Sequence, residues 1–127
     1  MESKEIFEID TIITNVLSEL GVPSHVYGYR FLTMAVKLAV EDADAVSKVT
    51  KNIFTPIVKK FNITPQRVST EISRAIQIAF DRGLLATLLE DNKLDPKVKP
   101  KSQEFITIVS KEIRSKTHRK MTLLEFT

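Results

Sequence analysis

The 127-residue sequence contains no cysteine, which excludes disulfides, cysteine-ligated zinc, iron–sulfur clusters and a thiol nucleophile. No apolar run approaches the ~18 residues of a membrane-spanning helix, and no hydrophobic segment follows the acidic N-terminus as it does in a signal peptide. With only three glycines, the chain has no glycine-rich loop of the kind that holds nucleotide phosphates. We therefore expect a soluble, cytoplasmic protein.

The remaining composition is that of one ordinary globular domain. Hydrophobic residues make up 43% of the chain and include seven phenylalanines. This apolar content is enough for a sizeable core, and the length leaves no room for two full domains.

Apolar side chains recur mostly at helical spacing, which predicts an all-α fold. Five longer helices are expected at 5–20, 24–41, 50–61, 65–82 and 102–116, and a short one at 84–90. Ser24 is expected to cap the second helix, Pro56 to kink the third or delay its start, and residues 43–49 are ambiguous. The prediction is a compact bundle of about six helices over residues 1–116. A tail at 117–127 follows, whose Met121, Leu123, Leu124 and Phe126 could dock or self-associate.

Charge is distributed unevenly along the chain, although the net value is only +3. Residues 1–45 carry three basic against eight acidic side chains, whereas residues 46–82 carry seven against two. Residues 93–120 carry nine against three. The basic later part favours a polyanionic partner such as nucleic acid, and an unevenly charged solvated surface is the alternative.

The segments 50–61 and 65–82 have the arrangement of a helix-turn-helix. A short helix and a turn of about three residues precede a longer helix, with Thr64 as its cap and Pro65 in its first position. Any helical hairpin shares this spacing. The surface of the second helix is therefore the more informative feature.

On helix 65–82 the apolar residues share one face and short polar or amide side chains form a stripe roughly opposite. Such side chains suit hydrogen bonding to base edges in a major groove. The predicted base-facing residues are Gln66, Ser69, Thr70, Ser73 and Gln77. A plain solvent-exposed face is the alternative, but such faces favour Glu and Lys pairs, and only Glu71 is acidic before Asp81.

Basic side chains around this stripe are expected to contact DNA phosphates. Arg67 and Arg74 flank the stripe, and others lie on the preceding helix and in the basic connection 93–101. The predicted phosphate contacts are Lys51, Lys59, Lys60, Arg67, Arg74, Lys99 and Lys101.

An enzyme is not expected, because the chain offers no catalytic residues in a recognisable arrangement. Neither His25 nor His118 has the carboxylate spacing of a metal site. The acidic group Glu41, Asp42 and Asp44 is read as a solvated loop rather than a cation site.

Several motifs together resemble one known family. The segment Gly21-Val22-Pro23-Ser24-His25, with Gly28-Tyr29 and Leu32, is similar to the GVPxHxxGYxxL segment of the C-terminal DNA-binding effector domain of sporulation-initiation master response regulators in endospore-forming bacteria. Further matches include Lys59-Lys60-Phe61, Arg67-Val68, Arg82-Gly83 and Lys99-Pro100. The resemblance spans about residues 10–115. It implies a helical domain without catalysis or cofactor, which binds double-stranded DNA through helix 65–82, often as two copies arranged head to tail.

The sequence departs from that family at three points. Where the family reads bases with a Glu-Arg pair and a further Arg, this chain has Ser69, Thr70 and Ser73, so we expect a transcriptional regulator with altered base specificity. The segment after Gly83 lacks the aromatic-glycine stretch that the family uses near RNA polymerase, which leaves a polymerase contact open. No receiver domain precedes the helices, so we expect either a fragment or a free-standing relative. The alternative function is a protein-interaction module that has lost specific DNA reading.

Overall fold

Helices account for all the regular structure in the part of the chain that the computed structural model describes, namely the backbone of residues 2–125 and the side chains of residues 8–117. The elements are α1 (Glu2–Glu19), α2 (Tyr27–Glu41), α3 (Thr55–Phe61), α4 (Pro65–Asp81), α5 (Ala86–Asp91) and α6 (Ser102–Glu125). A 3₁₀ segment (Ala43–Lys48) and a π-helical turn (Thr50–Phe54) connect α2 to α3. The predicted all-α bundle is confirmed.

Helix α2 lies at the centre of the bundle and packs against α1, α4 and α6. Its inner face, formed by Leu32, Ala35, Val36 and Ala39, is completely buried. Phe31 also meets Phe61 edge to face at 5.1 Å between ring centroids, an arrangement that aromatic pairs favour. This contact fixes the end of α3 against α2.

The end of α1 shows how the sequence stops a helix. Gly21 has a φ of +87°, a conformation that glycine adopts without steric cost. The amide of Val22 donates to the carbonyl of Leu17 at 2.9 Å, and that of Gly21 donates to Ser18 at 3.0 Å. These bonds satisfy carbonyls that the helix leaves free. Arg82, just after α4, then donates to the Gly21 carbonyl at 3.0 Å and ties the two helix ends together.

The predicted start of α2 is wrong. Ser24 is exposed in a turn, and the helix begins at Tyr27 after an extended Val26 that provides no side-chain cap. Val22 and Pro23 are buried, so the chain uses the next residues to turn back over the core before the helix begins.

The segment 50–61 forms two helical pieces rather than one. The hydroxyl of Thr55, the first residue of α3, donates to the carbonyl of Thr50 in the π-helical turn at 3.0 Å. Pro56 falls in the first turn of α3, where proline is tolerated because first-turn amides have no partner within the α-helix itself. Proline therefore delays the regular α-helix, one of the two outcomes expected for it. The ambiguous segment after Asp42 is the 3₁₀ segment, and the Asp42 carboxylate accepts from the Asp44 amide at 3.0 Å.

Helix α6 extends beyond the predicted end at residue 116 and continues to Glu125. The reason is that no glycine or proline follows Pro100, so nothing in the sequence breaks the helix. The side chains of Met121, Leu123, Leu124 and Phe126, for which docking was considered, lie outside the described residues.

Gly28 sets the distance between α2 and α4. A Cβ atom built on Gly28 would lie 2.7 Å from Ala75 Cβ and would clash with the carbonyl oxygen of Glu71.

We expect Gly28→Ala to lower the free energy of unfolding by about 1–3 kcal/mol, because the added methyl group overpacks a filled contact. Chemical denaturation measures this loss. Arg30→Ala, at an exposed position of the same helix, is the control and should change stability little. Equal stability of Gly28→Ala and the wild type would contradict this packing.

Candidate nucleic-acid interface

The turn between α3 and α4 is built by local sequence signals. Asn62 adopts a left-handed conformation with φ of +53°, which asparagine tolerates better than most residues. Thr64 is extended, and its hydroxyl accepts from the Arg67 amide at 3.1 Å. Pro65 follows in the first turn of α4. The predicted cap and helix start are confirmed, and together they fix how α4 leaves the turn.

One face of α4 is completely buried, and it determines which side chains point outward. Val68, Ile72, Ala75, Ile76 and Ala79 have no exposed surface. Of the predicted stripe, Gln66, Ser69 and Thr70 are exposed, whereas Ser73 and Gln77 are partly buried. The freely accessible part of the stripe is therefore the N-terminal half of α4.

The two partly buried stripe residues already have hydrogen-bond partners. Ser73 Oγ accepts from Lys99 Nζ at 2.6 Å, so the connection before α6 lies against α4. Gln77 Nε2 donates to Asp81 Oδ1 at 2.8 Å. Sequence reasoning missed the first contact, because no local pattern pairs residues so far apart in the chain.

Arg67 and Tyr27 form a second contact that the sequence did not reveal. The Arg67 guanidinium carbon lies 5.4 Å from the centroid of the Tyr27 ring, within range of a cation–π interaction. Tyr27 is 60% exposed, so the ring supports the guanidinium at the surface rather than burying it. The first turn of α2 thereby contributes to the surface beside the N-terminal half of α4.

Arg74 carries a partly compensated charge. Its Nη1 lies 3.3 Å from Glu71 Oε1, and the two side chains are 63% and 14% exposed. Glu71 thus faces its neighbouring arginine and leaves the predicted stripe without an acidic group. Arg67 takes part in no ion pair among the described side chains.

The other predicted phosphate contacts are spread over three segments. Lys51 on the π-helical turn, Lys59 and Lys60 at the end of α3, and Lys101 before α6 are all exposed. Lys60 Nζ lies 5.8 Å from the centroid of its neighbour Phe61. The glutamate Glu104 accepts from the Lys101 amide at 2.9 Å, which leaves the lysine ammonium group unused by that bond.

The described residues form no arrangement that could hold a metal: no three His, Asp or Glu side chains come together there. The carboxylate of Asp42 caps the 3₁₀ segment, so this member of the acidic group at 41–44 has a structural role. None of the helices in the described part of the chain has the length and apolar content needed to cross a membrane.

The family model for the sporulation initiation factor Spo0A C-terminal domain matches residues 13–113. The chain belongs to the Spo0A C-terminal family. The match runs from α1 into α6 and includes the whole helix-turn-helix. The sequence resemblance is thereby confirmed, and the family is one of helical DNA-binding domains in regulators of sporulation.

Membership of this family supports double-stranded DNA as a partner of the chain. The part of α4 that the buried face leaves exposed is then the surface of interest. Along residues 66–74 its exposed polar side chains are neutral, and its charge comes from Arg67 and Arg74.

Thr64→Ala should lower the free energy of unfolding by about 1 kcal/mol, because it removes the side-chain cap of α4. Thermal or chemical unfolding measures this change. Thr70→Ala is the matched control: Thr70 is exposed on the same helix, and alanine favours helix there, so stability should hold or rise. If both variants unfolded like the wild type, the cap would contribute nothing to α4.

Proposed function

We propose that the domain is a sequence-specific transcriptional regulator that places the N-terminal half of α4 in the major groove of double-stranded DNA. The observation that carries this proposal is an exposed stripe of neutral polar side chains, Gln66, Ser69 and Thr70, beside two arginines. Amide and hydroxyl groups donate and accept hydrogen bonds at base edges. Family membership supports DNA as the ligand.

The charge along α4 favours approach by its N-terminal end. Asp81 lies at the other end, where it accepts from Gln77, and its carboxylate repels phosphates. Arg67 lies in the first turn of α4, and Arg74 lies near the middle of the helix. A helix of this kind enters the groove with its N-terminal residues against the bases.

Cations on several elements would hold the DNA backbone on either side of the groove. Arg67, supported by Tyr27, is the strongest candidate, because it is exposed and shares its charge with no carboxylate in the described ion pairs. Lys51, Lys59, Lys60 and Lys101 are exposed and would add phosphate contacts. Such contacts position a protein on DNA without reading sequence.

Base specificity is proposed to differ from that of the sporulation regulators that the chain resembles. Serine and threonine side chains reach less far than arginine and cannot make its two-pronged contact with guanine. Each such contact contributes roughly 1–3 kcal/mol of discrimination. Gln66, and Gln77 where its amide remains available, are suited to adenine, whereas Ser69, Thr70 and Ser73 accept more than one base.

Arg67→Ala and Arg74→Ala should each weaken binding to every duplex and reduce the slope of log affinity against log salt by about one, because each removes one phosphate contact. Fluorescence anisotropy over a series of salt concentrations measures both quantities. Lys111→Ala removes the same charge from an exposed position on α6 outside the proposed interface, and it should change the slope less.

If the folded double variant of Arg67 and Arg74 bound DNA like the wild type, α4 would not be the DNA-binding helix. If the folded wild type bound no duplex at low salt, the proposal would fail and the protein-interaction alternative would replace it.

Resemblance to the family also supports binding by two copies arranged head to tail. Analytical ultracentrifugation of the saturated complex with a duplex long enough for two copies distinguishes one bound copy from two.

We propose no contact with RNA polymerase, because the segment after Gly83 lacks the aromatic-glycine stretch that the family uses near the polymerase.

A further inference from the structure

Lys99, in the connection between α5 and α6, places a positive charge beside the stripe on α4. Lys99 Nζ lies 2.6 Å from Ser73 Oγ, and both side chains are partly buried. No carboxylate among the described side chains forms an ion pair with Lys99. Its ammonium group is therefore held on α4 by a neutral hydroxyl, and its charge is not compensated there.

The connection holds Lys99 in place through its own hydrogen bonds and packing. Asp95 accepts twice: its carboxylate from the Lys97 amide at 2.9 Å, and its carbonyl from the Val98 amide at 3.2 Å. The next residue after Lys99 is Pro100, which is buried. The backbone on both sides of Lys99 is thus constrained, and this fixes the position from which the side chain reaches Ser73.

The chemistry of this pair fits one kind of DNA base. A lysine ammonium group has three donor hydrogens and accepts none, and the bond to Ser73 uses one. The other two remain beside a stripe that has no charge of its own. Guanine presents two acceptors, O6 and N7, on its major-groove edge, and it is the base that lysine and arginine select.

We propose that Lys99 reads a guanine next to Ser73 and supplies, from a separate element, the cation that α4 lacks at that position. The inference rests on the proposed major-groove docking of α4. Lys99 is then a specificity-determining residue rather than a phosphate contact, and Ser73 is the residue that positions Lys99.

Selection from a randomised duplex pool by the wild type, followed by affinity measurements on the enriched site, tests this assignment. The wild type should enrich a guanine at one position. Replacing that guanine by adenine should weaken wild-type binding by roughly tenfold or more. Replacing it by 7-deazaguanine, which lacks the N7 acceptor, should also weaken binding relative to the guanine duplex. Lys99→Met keeps an unbranched side chain of similar length but removes the charge, and this variant should bind all three duplexes equally.

Two further variants separate reading from packing. Ser73→Ala should reduce the guanine preference because it frees Lys99, whereas Ser73→Thr keeps a hydroxyl and should restore the preference. Lys101→Ala is the matched control on the same connection. It should weaken binding to the guanine and adenine duplexes by the same factor, as expected for a phosphate contact.

Uniform weakening by Lys99→Met on all duplexes would overturn the role in base reading but leave α4 docking intact. The proposed base reading would also be overturned if the selected DNA motif contained no guanine whose recognition changes in Lys99→Met. Failure of the folded wild type to bind any duplex at low salt would instead remove the proposed function and this inference together.

Discussion

Contact between α2 and α4 is the constraint on which the rest of the structure depends. Gly28 lets the first turns of α2 approach the backbone of α4 at Glu71, and Ala75 fills the same contact. The inward apolar residues of α4 are completely buried. Because a helix has a fixed periodicity, burial of one face determines where every other side chain of α4 points. The polar stripe is a consequence of this packing.

Two further contacts place side chains from other elements against α4. The first turn of α2 brings Tyr27 under Arg67, and the connection before α6 brings Lys99 to Ser73. Two other parts of the chain thus contact α4, one at the exposed Arg67 and the other at the partly buried Ser73. Electrostatic attraction to phosphates would supply affinity, and hydrogen bonds along the stripe would supply selectivity. This division explains how a helix with short side chains could still discriminate between sequences.

Local signals in the sequence predicted the parts of the fold that depend on neighbouring residues. Thr64 and Pro65 mark the start of α4, and apolar spacing identifies the buried face of α4. The start of α2 was mispredicted, because burial of Val22 and Pro23 overrides the capping preference of Ser24.

The parts of the site that the sequence did not reveal depend on tertiary contacts. The hydrogen bond from Lys99 to Ser73 and the cation–π contact of Arg67 with Tyr27 join residues on different elements, and neither has a local sequence pattern. Lys99 was therefore assigned to phosphate from its charge alone, and Tyr27 was left out of the predicted site. The end of α6 was missed for a different reason, since a polar sequence without glycine or proline gives no marker of where a helix stops.

DNA binding by α4 is tested most directly by a titration of ¹⁵N-labelled protein with a short DNA duplex at low salt, followed by two-dimensional NMR. We expect the largest shifts at amides in 66–73 and 97–101, while those of α5 move little. Shifts centred on α5 or on the first helix, or no shifts at all, would contradict the claim that the N-terminal half of α4 is the DNA-binding surface.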